Sequence, residues 1–171
     1  MRAIAPDERL PDETWILEPP AGEAFGPLAL PRREHVMLDE AQRRAPFTVL
    51  VPRRAPADAD LEIGFGAAVE RPPTPAFVSL VYRAVGLGLD IRISQASAEA
   101  DGALDVTAGA ETIERDGRTV TLRDMGGRLQ AVAEHLGTRA TLLSQSAARD
   151  MVLEMALTLE PAPGDPPALT G

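Results

Sequence analysis

His35 and His135 are the only imidazoles in a chain with no cysteine and no lysine, so most nucleophilic or metal chemistry would have to pass through them. A metal site of two histidines and a carboxylate needs both rings in one coordination sphere, with an acid such as Asp39 or Asp124 as third ligand. His135 follows Glu134 at an expected hairpin end, and His35 precedes the first expected helix. Both read as surface residues. No G-x-S-x-G turn surrounds any serine, so a serine nucleophile lacks its usual setting. The missing cysteines exclude disulfides, thiolate chemistry, Cys-ligated zinc and a lipoprotein anchor. The missing lysines exclude Schiff-base chemistry and a P-loop lysine.

GFGAAV, Gly64 to Val69, comes near the dinucleotide fingerprint, but its sixth position is Val and ERPPTP follows where a helix must begin. It reads as a strand with glycines at a bend or bulge. Asp58, Asp60 and Glu62 alternate in DADLE as a solvated face. Residue types and spacing therefore give no catalytic, cofactor-binding or metal-ligating set, and the chain reads as a non-enzyme.

The elements that would position any site are set out by proline. Six prolines fall from Pro6 to Pro31, six from Pro46 to Pro75 and four from Pro161 to Pro167, with none between Ala76 and Glu160. Proline is excluded from central strands and helix interiors, so the proline-free block should hold the regular structure. Residues 1–34 read as an irregular arm, 35–160 as one domain and 161–171 as a tail. The only tryptophan, Trp15, lies in the arm within TWIL. It reads as an indole packed on its own domain, with a partner or second subunit as the functional alternative.

Within the block, FVSLVYR (Phe77–Arg83) is apolar on both faces, and Leu89, Ile91 and Ile93 alternate with Asp90, Arg92 and Ser94. Asp116-Gly117 centres a hairpin in ETIERDGRTVTLRD, because both residues tolerate the positive φ of a type I′ turn. Met125 to Gly127 makes another turn, and RLQAVAEH and TRATLLS form two strands joined through Leu136-Gly137. LDEAQRR opens the domain as a short helix. SAARDMVLEMALTLEP closes it, with Ala148, Met151, Val152, Met155 and Leu159 on one stripe, a Ser144 or Ser146 cap and Pro161 as the stop. The expected fold is α+β: a curved antiparallel meander of six or seven strands, with the short helix before it and the C-terminal helix against its concave face.

The helix L-D-E-A-Q, the run P-F-T-V-L-V-P and the strand V-S-L-V-Y-R together resemble a bacterial domain family of unknown function. That family forms the extracytoplasmic C-terminal part of anti-sigma-factor-like membrane proteins and is distantly similar to outer-membrane lipoprotein carrier and sorting proteins. The resemblance runs through Leu38–Pro52, Phe77–Arg83, Leu89–Gln95, Glu111–Arg123, Arg128–Ser144 and Ser146–Leu159, about 120 residues. It implies no catalytic residue.

A net charge of −9 argues against nucleic acid or an anionic membrane surface as partner. MRAIAPDERLPDETW lacks the apolar core of a signal peptide, and no run approaches the roughly 18 apolar residues of a membrane span. The expectation is a cytoplasmic chain, or an extracytoplasmic one if it is a fragment of a longer membrane protein. AVGLG (Ala84–Gly88) must present Val85 and Leu87 at a hairpin turn, so Trp15, Val85 and Leu87 are the candidate interaction residues. A sheet without lysines at its edges also invites edge-to-edge pairing and an oligomer. The leading expectation is a non-catalytic interaction module that meets a protein partner or itself. The alternative is a carrier of an acyl chain or other hydrophobic molecule, with Met125, Met151 and Met155 as an adaptable lining.

Overall fold

Side chains at alternate positions of a strand face opposite ways, and this sorts the core before any long-range contact forms. In Leu89–Ser97, Leu89, Ile91, Ile93 and Gln95 are buried while Asp90 and Arg92 remain exposed. The computed structural model describes residues 32–70, 73–100 and 109–164. Its strands are β1 (Arg33–His35), β2 (Leu50–Pro52), β3 (Asp60–Gly66), β4 (Val69–Glu70), β5 (Pro73–Thr74), β6 (Phe77–Ala84) and β7 (Leu89–Ser97). β8 (Glu111–Arg115), β9 (Arg118–Asp124), β10 (Leu129–His135), β11 (Thr138–Ser144) and β12 (Leu159–Pro161) complete them, with helices α1 (Leu38–Arg44) and α2 (Arg149–Leu157).

The α+β class is as expected, but the sheet is not one continuous meander. Eight strands lie in the order β1-β3-β6-β7-β11-β10-β9-β8, every neighbouring pair antiparallel. After β7 the chain moves to the far edge at β8 and winds back, so β11 closes against β7. Hairpins at Asp116-Gly117 and Leu136-Gly137 have positive φ at both central residues (53° and 73°, 50° and 73°), the type I′ geometry. Gly64 and Gly66 stand at neither a bend nor a bulge, because the β3–β6 register runs unbroken through both. Their missing side chains instead leave room for the Arg33 side chain and the Phe77 ring, either of which a Cβ would strike.

The inner face carries the core. Leu80, Ile93 and Leu142 face one another across β6, β7 and β11, all fully buried. Each such side chain contributes roughly 1.5–3 kcal/mol by leaving water. Over this face lie α1, the two-stranded ribbon of β2 and β12, and α2, which lies against β9, β10 and β11. The Arg44 guanidinium, 4.3 Å from the Phe65 ring centroid and paired with Glu34 and Glu40, fixes α1 over β3.

Two polar side chains in the core join the layers. Gln95 is almost fully buried: its Oε1 accepts from Leu50 N at 2.7 Å and its Nε2 donates to Leu50 O at 2.8 Å. Thr138 Oγ1 donates to Thr48 O at 2.6 Å. The segment entering β2 is thus held by side chains as if by another strand.

Two expectations at the C-terminal end change. α2 stops at Leu157, and Leu159 belongs to β12, opposite Pro52. Nor do Ser144 and Ser146 cap the helix, whose N-cap Ala148 makes no side-chain bond. Ordered structure also passes both expected domain boundaries. Arg33 and Glu34 belong to β1, Pro161 to β12, and the Ala162 carbonyl accepts from Gln42 Nε2 at 2.9 Å.

Burial raises the Tyr82 phenol from its ordinary 10 to about 12. The native state therefore keeps a proton that the unfolded chain loses, so this contribution to stability is complete below pH 10 and disappears as pH rises through 12. Tyr82 is the only tyrosine, so phenolate absorbance reports it alone. A midpoint near 12 that falls to about 10 in denaturant is expected; a native midpoint near 10 would mean that water reaches the ring.

Candidate interaction surface

The turn between β6 and β7 follows from its sequence. Val85–Leu87 makes one 3₁₀ turn, closed by Gly88 at φ 61°, whose N–H donates to Val85 O at 3.2 Å. With glycine at two of four positions, the turn cannot tuck its large side chains beneath itself. Val85 is 87% exposed and Leu87 is 73% exposed. Leu61 at the start of β3, Met125 in the β9–β10 turn and Met151 in the first turn of α2 are also exposed at this end of the sheet. Five of the seven exposed large apolar residues in the described segments thus lie toward this end, spread across the sheet from β3 to the β9–β10 turn.

Beside the turn, an open cleft of about 280 Å³ is lined by Asp90, Arg92, Arg128, Leu143, Ser144 and Gln145. Register builds it: Arg92 lies opposite Leu143, Leu143 opposite Gln130, and Gln130 opposite Arg123, all on the outer face. Ser144 and Ser146 fix its floor. Ser144 Oγ donates to Asp90 O at 2.8 Å, and Ser146 Oγ accepts from Asp90 N at 3.1 Å. The Gln145 amide oxygen, turned toward Arg128, accepts from its Nε at 3.2 Å and Nη2 at 2.5 Å. Among the described residues, Arg92 and Arg123 make no ion pair and Arg128 meets only this amide. Asp90 is drawn away by Arg83, at 3.5 Å. The surface therefore combines an apolar tip with three arginines free of carboxylates.

The other outer-face charges are spent on one another. Glu62 meets Arg33 at 2.9 Å, Arg83 at 2.6 Å and His35 at 3.4 Å. Partial burial pushes its carboxyl up, but the Arg83 hydrogen bond and the charges of Arg83, Arg33 and His35 outweigh this and hold it below the usual carboxylate range. His35 and His135 belong to β1 and β10, first and sixth in the sheet order. Five strand spacings are about 24 Å, too far for one metal ion. His135 meets Arg118 at 3.4 Å, and burial, helped by the Arg118 charge, lowers its pKa and favours the neutral ring. Arg118 also donates to Leu159 O, tying the ribbon to the sheet. Asp39 pairs with Arg43, and Asp124 accepts from Gly127 N at 3.0 Å. Among the described residues no three acidic or histidine side chains converge as a metal site.

The candidate residues divide. Val85 and Leu87 stand together at the tip, whereas Trp15 lies outside the described residues. Met125 and Met151 reach the same end of the sheet, while Met155 is buried in the core. The described cleft is lined by none of the three methionines. The arginines carry no joint signal in the sequence, because they lie on three different strands or turns. Their only local signal is arginine at outward positions of in-out strands. Compared with known protein families, curated proteins and solved structures, the chain matches none. No helix among the described residues is long and apolar enough to cross a membrane.

Proposed function

We propose that the chain is a non-catalytic interaction module that self-associates through the sheet end bearing Val85 and Leu87, with the Arg92–Arg128 cleft as its polar margin. The exposure of those two side chains carries the reading: a folded chain gains nothing from holding them in water, whereas a contact does. An apolar centre with an arginine rim is also the usual composition of protein contacts. The order α1, β2, β6, β7, two hairpins and α2 supports the further proposal that the module is a regulatory relative of the anti-sigma-factor-associated domains. The bonds from Gln95 and Thr138 favour this reading over the acyl carrier, because they bring the strand β2 to the sheet face where an acyl chain would lie.

Native mass spectrometry of the purified chain tests it. The expected result is a discrete oligomer that becomes monomeric when Val85→Ser and Leu87→Ser are combined. A monomer carrying a lipid-sized mass would overturn the module in favour of the carrier.

A further inference from the structure

We infer that the outer-face cleft between β7 and the β9–β10 turn binds a small phosphorylated molecule, with Arg92 and Arg128 clamping its phosphate group. The cleft lies beside the apolar tip, on the solvent-open margin of the proposed contact, so it can be filled whether or not the chain self-associates. Most arginines of this acid-rich chain are spent on carboxylates. Eight of those in the described residues make ion pairs. Arg92, Arg123 and Arg128 make none and share one patch, although Asp and Glu outnumber the basic side chains by 26 to 17. Three guanidinium groups gathered without a counterion attract an anion and can grip its oxygens in pairs.

A buried amide marks the same place. Gln42, Gln95, Thr138 and Ser144, all buried, each hydrogen-bond the backbone. Gln130 is only 9% exposed, yet among the described residues its amide has no hydrogen-bond partner. Register puts it on the outer face between Arg123 and the cleft residue Leu143. A buried amide left unpaired is costly, and a ligand oxygen would satisfy it. Arg92 on β7 and Arg128, just before β10, stand two strand spacings apart, about 10 Å, with β11 between them. Gln145 holds the Arg128 guanidinium over β11 through Nε and Nη2, which leaves Nη1 for a ligand. Asp90, turned toward Arg83, can accept from a ligand hydroxyl. β10 and β11 add no charge at this end, and Asp124 faces the other way, toward Gly127 N. The cleft, about 280 Å³, lies at the small end of small-molecule sites, roughly 300–1,000 Å³. A net charge of −9 repels an extended polyanion, so one phosphate on a small hydroxylated molecule fits better than a nucleic acid or an anionic bilayer.

Calorimetric titration of the full chain with glycerol 3-phosphate, inorganic phosphate and glycerol, at one ionic strength, tests the site. The expected result is one glycerol 3-phosphate per chain, bound more tightly than inorganic phosphate, and no heat from glycerol. Arg92 and Arg128 are exposed, so their variants keep the fold. Arg92→Gln and Arg128→Gln each weaken binding about tenfold, the scale of one lost charge-assisted bond. Arg139→Gln, at the far end of the same face, changes nothing. Gln130→Leu weakens binding about threefold without lowering the denaturant midpoint, because the amide bonds nothing within the described chain. Affinity for the ester rises as pH climbs through about 6, where it gains its second charge, and then levels off, since arginine stays protonated. Equal affinity for inorganic phosphate would overturn the ester and leave free phosphate as the ligand. Binding indifferent to both arginine variants, or no binding of either phosphate, would overturn the site itself. Val85→Ser with Leu87→Ser leaves the affinity unchanged. If that pair dissolves no oligomer while the phosphate still binds, the contact reading fails alone.

Discussion

Replacing Gln95 by Ala lowers the free energy of unfolding by about 2–4 kcal/mol, a large part of the 5–15 kcal/mol that holds a typical domain together. The side chain is 1% exposed and spends both ends of its amide on one residue, Leu50. Leu50 stands at a non-hydrogen-bonded position of the ribbon, between the Val49–Ala162 and Val51–Glu160 positions, so its own N–H and carbonyl point away from β12 and toward Gln95. Truncation therefore strands a donor and an acceptor in the interior, at roughly 1–3 kcal/mol for each buried group left unsatisfied, and opens a void. Gln95→Glu sharpens the test. A carboxylate can accept from Leu50 N but cannot donate to Leu50 O, whereas the protonated acid can do both. The Glu variant should thus lose less stability, relative to the parent, as pH falls toward the carboxyl pKa. Denaturant midpoints across pH measure this; an Ala variant within 0.5 kcal/mol of the parent would show that the ribbon does not depend on the amide.

Ile93→Ala costs about 2–5 kcal/mol, whereas Val85→Ser and Leu87→Ser each stay within about 0.5 kcal/mol of the parent. Ile93 is fully buried between Leu80 and Leu142, so removing its outer carbons forfeits their transfer from water and leaves a cavity that the flanking strands cannot close. Val85 and Leu87 touch little, and serine at either position gives up almost no burial. Chemical unfolding of the three variants side by side checks the contrast. A loss above about 1.5 kcal/mol at Val85 or Leu87 would mean that the turn is packed in solution and available only to its own chain.

These two sites show what local sequence can and cannot reveal. The inward row of Leu89, Ile91 and Ile93 was legible because alternation is a property of one strand, and the turns at Asp116-Gly117 and Leu136-Gly137 because positive φ favours few residues. The exposure of Val85 and Leu87 was legible for the same reason: a four-residue turn with two glycines leaves its apolar side chains nowhere to go. Strand neighbours were not legible. Nothing in TRATLLS states that it lies beside β7, since both faces of the pairing are set by residues about 40 to 50 positions away. Leu159 continued the α2 stripe at a four-residue interval from Met155, so only its partner Pro52 marks it as strand. The glycines of GFGAAV gave a true signal of special backbone, but close approach by Arg33 and Phe77 uses glycine just as a bulge does. The arginine cleft required the register of β7, β11, β10 and β9 and had no local signature.

The edges of the sheet carry a consequence for the size of any assembly. One edge is β1, three residues long with Arg33, Glu34 and His35; the other is β8, with Glu111, Glu114 and Arg115. Short length and ionic side chains do there what lysine does in other sheets, so strand-to-strand addition is disfavoured at both ends of the ladder. Growth along the ladder would have no natural stop. On the proposed reading, a contact restricted to the Val85 turn would meet its own copy about a twofold axis and then be used up, which would make the assembly finite and avoid a fibre.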